Sequence, residues 1–116
     1  MLDGRWVPVT AEMGGAPFPP PTLNAMSLLL DGNNYTAAVG AATDKGTIAY
    51  GTANGMGTMD ITGTAGPNAG KTIPAIYEQS GDTLRICYEL GDGSRPTEFL
   101  SAAGTQQFLV TWKRAG

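Results

Sequence analysis

Few residues in this 116-residue chain could carry chemistry, and one type is missing altogether. There is no histidine, so neither a Ser–His nor a Cys–His couple can be assembled, and an ordinary zinc site lacks its usual ligand. The single cysteine, Cys87, would need a nearby cation or imidazole to become a reactive thiol; it reads as a small buried hydrophobe. The carboxylates Asp31, Asp44, Asp60, Glu78, Asp82 and Asp92 fall in turns or at outward-facing strand positions. An acid–base pair needs two of them brought together, and nothing in their spacing requires it. A calcium loop of the Asp-x-Asp-x-Asp-Gly type is absent. Residues 65–72, Ala-Gly-Pro-Asn-Ala-Gly-Lys-Thr, match a relaxed phosphate-binding loop with alanine in place of its first glycine. That chemistry needs a helix starting at Gly-Lys-Thr, aiming backbone N–H groups at the phosphate. Pro74 and a β-type run over 73–77 follow instead, so the match reads as a turn before a strand. No catalytic residue, metal or cofactor is expected.

The elements that must position these side chains are legible from composition. The chain is 41% apolar but only 15% charged, and 17 glycines with 8 prolines break it up densely. Many short strands joined by frequent turns fit that mix better than long helices. One domain spanning 1–116 is expected, burying roughly two-thirds of its unfolded surface. Seven basic against ten acidic residues give a net charge of −3. The only adjacent basic pair is Lys113-Arg114, whereas a nucleic-acid binder shows a basic stripe; no nucleic-acid partner is expected. No apolar run reaches the roughly 18–20 residues of a membrane span. Met1-Leu2-Asp3-Gly4-Arg5 is not a signal peptide, so the expected location is cytoplasmic.

The organising stretch is 71–90. Leu84, Ile86, Tyr88 and Leu90 alternate with polar residues, the mark of a half-buried antiparallel strand. Gly81, within the turn 79–82, supplies the left-handed conformation that joins it to the strand before. Residues 4–11 form the first strand, where Trp6 is opposite in parity to Val7 and Val9. Pro8 cannot donate to a ladder and favours a bulge or an edge. The Gly/Pro-rich 14–21 serves either as a polyproline ligand for a partner's groove or, preferred here, as a rigid crossover with Phe18 tucked in. A helical turn near residues 20–25 follows, capped by Thr22. Strands are then expected at 26–30, around Tyr35–Val39, around Ile48 and Tyr50 after an Asp44-Lys45-Gly46 turn, around Met59 and Ile61, and at 107–114. The fold class is all-β: an eight-stranded antiparallel up-and-down barrel, which removes exposed edges by closing on itself.

At Gly4-x-Trp6 on the first strand and a basic residue on the last, the chain resembles the lipocalins, or calycins, in which a late Arg or Lys packs across an N-terminal Trp. The resemblance makes Trp6 and Arg114 the pair that closes one barrel end, by a cation–π contact of about 0.5–2 kcal/mol. More closely, the chain is similar to a family of small lipocalin-like domains of unknown function abundant in planctomycetes. The matching elements are Gly4-Arg5-Trp6, Glu12 with Gly14-Gly15, residues 66–72, Ile76-Tyr77-Glu78, residues 81–88 and residues 95–99. The similarity spans nearly the whole chain and implies a fold without an established activity. It departs over 37–57, which is rich in alanine and glycine.

Small inward residues on one side of such a barrel leave volume for a ligand. The expected guest is a small apolar or amphipathic molecule, with Tyr35, Tyr50, Tyr77 and Tyr88 lining the cavity and Arg85 or Arg95 receiving an acidic headgroup. The alternative is a non-catalytic interaction or structural module with a filled core, as a homodimer. The long segment 91–100 is expected to plug one barrel end with Phe99 and Leu100, with Arg95 and Glu98 paired or capping backbone groups.

Overall fold

A computed structural model describes residues 2–91 and 93–115. Among the described residues, nine strands, β1 (Gly4–Met13), β2 (Ala16–Pro17), β3 (Met26–Asp31), β4 (Asn34–Val39), β5 (Ala42–Ala53), β6 (Met56–Ala65), β7 (Thr72–Ser80), β8 (Thr83–Glu89) and β9 (Gln107–Arg114), accompany one short helix, α1 (Pro20–Leu23). All pairings between them are antiparallel, each barrel strand lies beside the next in sequence, and β9 returns to β1. The result is the expected closed eight-stranded up-and-down barrel, with β2 as an extra two-residue strand on β1.

Closure depends on β1. The β1–β9 register shifts between Pro8 and Thr10, so the bulge expected at Pro8 is present. It lets Trp6 and Ala11, of opposite parity, both reach the core. Trp6 is fully buried, and the Arg114 guanidinium lies 4.3 Å from its ring centre. Arg114 also donates to the Asp3 carbonyl (2.7 Å) and to the Asp82 carboxylate (3.2 Å). Gly4 is left-handed at φ 129°, and a Cβ there would meet Arg114 Nη1 at 3.0 Å. The Gly-x-Trp spacing thus serves the arginine as much as the tryptophan.

Tight hairpins set the remaining registers. Asn54 and Gly55, at φ 53° and 78°, give β5–β6 a two-residue left-handed turn whose twist matches that of the strands. In the β7–β8 turn Gly81, at φ 60°, is the left-handed residue, as the sequence implied. Two local expectations are corrected. Asp44-Lys45-Gly46 is not a turn but lies inside β5, where a register shift after Lys45 absorbs the irregularity; the chain reverses earlier, at Gly40. The helical turn occupies Pro20–Leu23 with Pro19 at its N-cap and no side-chain cap, because Pro20 already satisfies the conformation of a first helical turn. Thr22 is inside the helix.

The plug expected from Phe99 and Leu100 is also corrected. Residues 93–100 fold back over the outer wall of the barrel. Thr58, Ile76 and Cys87 point outward in one cross-strand row, yet all three are buried, as is Pro96 of the returning segment. The Cys87 thiol donates to the Leu100 carbonyl at 3.4 Å. Phe99 stands under Arg85, 4.3 Å from guanidinium carbon to ring centre, and the Leu100 side chain is exposed. An outward apolar pair, Ile76 and Cys87, needs a cover, and the loop supplies it. Asp92 lies outside the described residues.

Candidate functional site

Alternation along the strands sends Leu28 and Leu30 of β3, Ile48 of β5, Met59 and Ile61 of β6, Ile73 of β7 and Ile86 of β8 into the barrel. They do not fill it. They surround a cavity of about 270 Å³. Small side chains account for the space: Ala37 and Ala38 of β4 and Ala42 of β5 line one flank, where larger strand residues would meet the opposite wall. Val39, Pro67, Leu90 and Phe108 line the cavity toward the end away from Trp6 and Arg114. Phe18, Phe108 and Tyr88 stack in series there, with ring centres 5.3 and 5.4 Å apart.

Few polar groups interrupt the apolar lining. Asp44 accepts the Tyr35 hydroxyl at 3.1 Å, and the backbone and side-chain N–H groups of Asn68 at 3.2 and 2.9 Å. The parity that puts Ile48 inside puts Asp44 beside the lumen too, which corrects its reading as a turn carboxylate. Asn68 belongs to the turn 66–70, which Asp44 anchors against β5; a Cβ on Gly66 would be 2.3 Å from the Thr43 carbonyl. The phosphate-loop-like sequence is therefore a close-packed turn leading into β7. Burial, followed by the Asp44 charge, raises the Tyr35 pKa well above that of an ordinary phenol. Burial raises Tyr88 likewise, opposed in part by the Trp112 indole N–H nearby. That N–H approaches Tyr88 without reaching hydrogen-bond geometry, and Trp112 Nε1 is left buried with no partner.

Of the residues expected to line the site, Tyr35 and Tyr88 do so. Tyr50 and Tyr77 face inward at the other end, edge to face at 5.9 Å, where the Tyr77 ring lies over Gly57 so closely that a Cβ would be 2.6 Å away. Burial raises the Tyr50 pKa there. Arg85 and Arg95 stand on the outer wall, not in the lumen. Arg85 pairs with Glu78 across β7–β8 at 2.9 Å. Arg95 binds Asp60 and donates to the Met59 and Ala75 carbonyls at 3.0 and 2.9 Å. Both arginines alternate or reach outward, so neither can meet a headgroup inside. Ser27, Asp44, Asn68 and Trp112 are polar lumen residues that spacing did not single out. Trp112 shares parity with Phe108 and Val110, a signal of inward direction but not of an unpaired N–H.

Among the described residues no group of three or more His, Cys, Asp or Glu side chains is arranged to hold a metal ion, and no helix is long and apolar enough to cross a membrane. No family model matches the chain, and neither a curated protein nor a solved structure matches it.

Proposed function

We propose that this protein is a lipocalin-like binding domain that takes a small apolar or amphipathic molecule into the barrel lumen. The observation that carries the reading is the unfilled apolar cavity of about 270 Å³ inside a closed barrel. The pocket opens to solvent at one side, and a concave apolar surface of this size left facing water is a mark of a binding site. The lining is apolar with a few convergent polar groups, the composition of a small-molecule site. The Trp6–Arg114 closure supports kinship with the lipocalin-like domains the sequence resembles. A filled interaction module is the weaker reading, because the lumen is not filled. The reading assigns the domain no catalytic step.

The test is a melting series over uncharged apolar compounds of about ten heavy atoms, on the native protein and on Ala37→Phe, which projects a ring into the cavity. A ligand present at 100 times its Kd stabilises by about 2.7 kcal/mol, several degrees for a domain of this size. The expected result is a rise in the native protein that Ala37→Phe abolishes. Equal shifts in both, or none in either, would overturn the reading.

A further inference from the structure

Charge is distributed one-sidedly in the lumen. Among the described residues, Asp44 is the only acidic or basic side chain that lines the cavity. Lys45, next to it on β5, and Lys71, just past the turn 66–70, are exposed and are not part of the lining. The Asp44 carboxylate is held by the Tyr35 hydroxyl at 3.1 Å and by the backbone and side-chain N–H groups of Asn68 at 3.2 and 2.9 Å. All three donors are neutral, so they fix the carboxylate without cancelling its charge. Among the described residues no ion pair includes it. Asp44 is half-buried, beside the turn that carries Pro67 at the open end, and the apolar lining of Leu28, Ile48, Met59 and Ile61 continues inward from it.

We infer that the lumen selects amphipathic molecules whose head is a protonated amine, seated near Asp44 toward the open end with the apolar body inside, and that it disfavours the matching carboxylates. This rests on the lumen being a ligand site, and adds the charge that site prefers. An apolar cavity of about 150 Å³ is large enough for benzene, so about 270 Å³ holds a body of roughly ten heavy atoms. The preference needs no hydrogen bond between the ammonium and Asp44. Opposite charges attract more strongly beside an apolar wall than in bulk water, and the half-buried position of Asp44 lets the head keep part of its hydration. A carboxylate in the same place loses hydration, meets a like charge and finds no Lys or Arg in the lining. Selection then comes from repulsion as much as from attraction.

Three probes share one apolar body and differ only at the head: 4-phenylbutylamine (cationic at neutral pH), 4-phenylbutan-1-ol (uncharged) and 4-phenylbutanoate (anionic). Their affinities are measured by isothermal titration calorimetry at neutral pH and low ionic strength, on the native protein and on Asp44→Asn, with the melting temperature of the variant taken to verify folding. The amine is expected to bind about tenfold tighter than the alcohol, and the carboxylate about tenfold weaker, the size of one partly screened charge interaction. In Asp44→Asn the three are expected to fall within about threefold of one another. Should all three bind the native protein alike, or the carboxylate bind tightest, the inferred charge preference is wrong although the lumen remains a ligand site. Should the order persist undiminished in Asp44→Asn, that carboxylate is not its source and the inference fails. If none of the three binds, the ligand site fails, and the preference with it. Should the variant not fold, the carboxyl carbon resonance of Asp44 in the native protein decides. A shift on titration with the amine but not with the alcohol supports the inference, and an equal response to both overturns it.

Discussion

Replacing Arg95 with methionine should unlatch residues 93–100 from the barrel wall, and Cys87 reports the event. The guanidinium makes two hydrogen bonds to strand carbonyls, Met59 and Ala75, and an ion pair with Asp60. It does so beside Pro74, which takes one donor out of the β6–β7 ladder. Hydrogen bonds from a charged group contribute about 1.5–3 kcal/mol. The Arg95 side chain is 30% exposed and that of Asp60 45%, so solvent screens the ion pair and the lower half of that range applies. About 2 kcal/mol is then lost from the closed state of the loop. Cys87 is fully buried beneath it, so a thiol reagent reaches the sulfur only when the loop opens. With opening in rapid equilibrium, labelling speed follows the open population, and 2 kcal/mol converts to roughly 30-fold faster labelling. Burial raises the Cys87 pKa in the closed state, which further suppresses labelling of unopened molecules. The assay is the rate of thiol modification in native buffer, for the native protein and Arg95→Met. A change of less than about threefold would refute the latch.

Other outcomes follow from the same contacts. Gly4→Ala forces a side chain into φ 129° with its Cβ 3.0 Å from Arg114 Nη1 and should cost about 1–3 kcal/mol in urea unfolding; an unchanged midpoint would deny Gly4 its part in closure. Phe99→Ala should cost roughly 1 kcal/mol, since the ring is half-buried under Arg85 rather than in the core; a loss of 3–5 kcal/mol would restore the plug that the fold excludes. The pH dependence of stability has a defined sign at its alkaline end. Tyr35 and Tyr88 have pKa values raised above the ordinary 10.0 in the folded state, so their stabilising effect is complete below pH 10 and is lost as pH rises through the unfolded value toward the folded one. Each should remove up to about 1.4 kcal/mol per pH unit in that window, measured as the urea midpoint; a flat profile above pH 10 for the native protein would count against their burial.

The barrel was legible in the sequence because its signals are local and redundant. Alternation in β8 and β9, the turn at Gly81 and the bulge signalled by Pro8 each imply strands, and Gly4-Arg5-Trp6 with Arg114 implies which strands close the ring. The site was half legible. Tyr35 and Tyr88 have the inward parity that alternation predicts, and the alanines of β4 leave the space expected of them. Asp44 was hidden by its neighbours, since Asp-Lys-Gly is a strong turn signal that a register shift inside β5 overrides. Tyr50 and Tyr77 also face inward, but strand position decides which end of the barrel a residue occupies, and parity carries no such information. Arg85 and Arg95 were misplaced for another reason: nothing local says that a long loop will fold over an outer wall. The clue was Cys87, an apolar residue out of step with Ile86 and Tyr88, opposite Ile76 on β7. An unpaired indole N–H is a property of three-dimensional neighbours alone.

The most direct test of the ligand site is a methyl NMR titration of the isoleucines with butyrophenone. Ile48, Ile61, Ile73 and Ile86 face the cavity, whereas Ile76 is equally well buried but on the far side of the wall. Saturable shifts at the four lumen residues with Ile76 unmoved are the predicted result. Shifts at Ile76 with the lumen silent, or no saturable shift at any of the five, would contradict it.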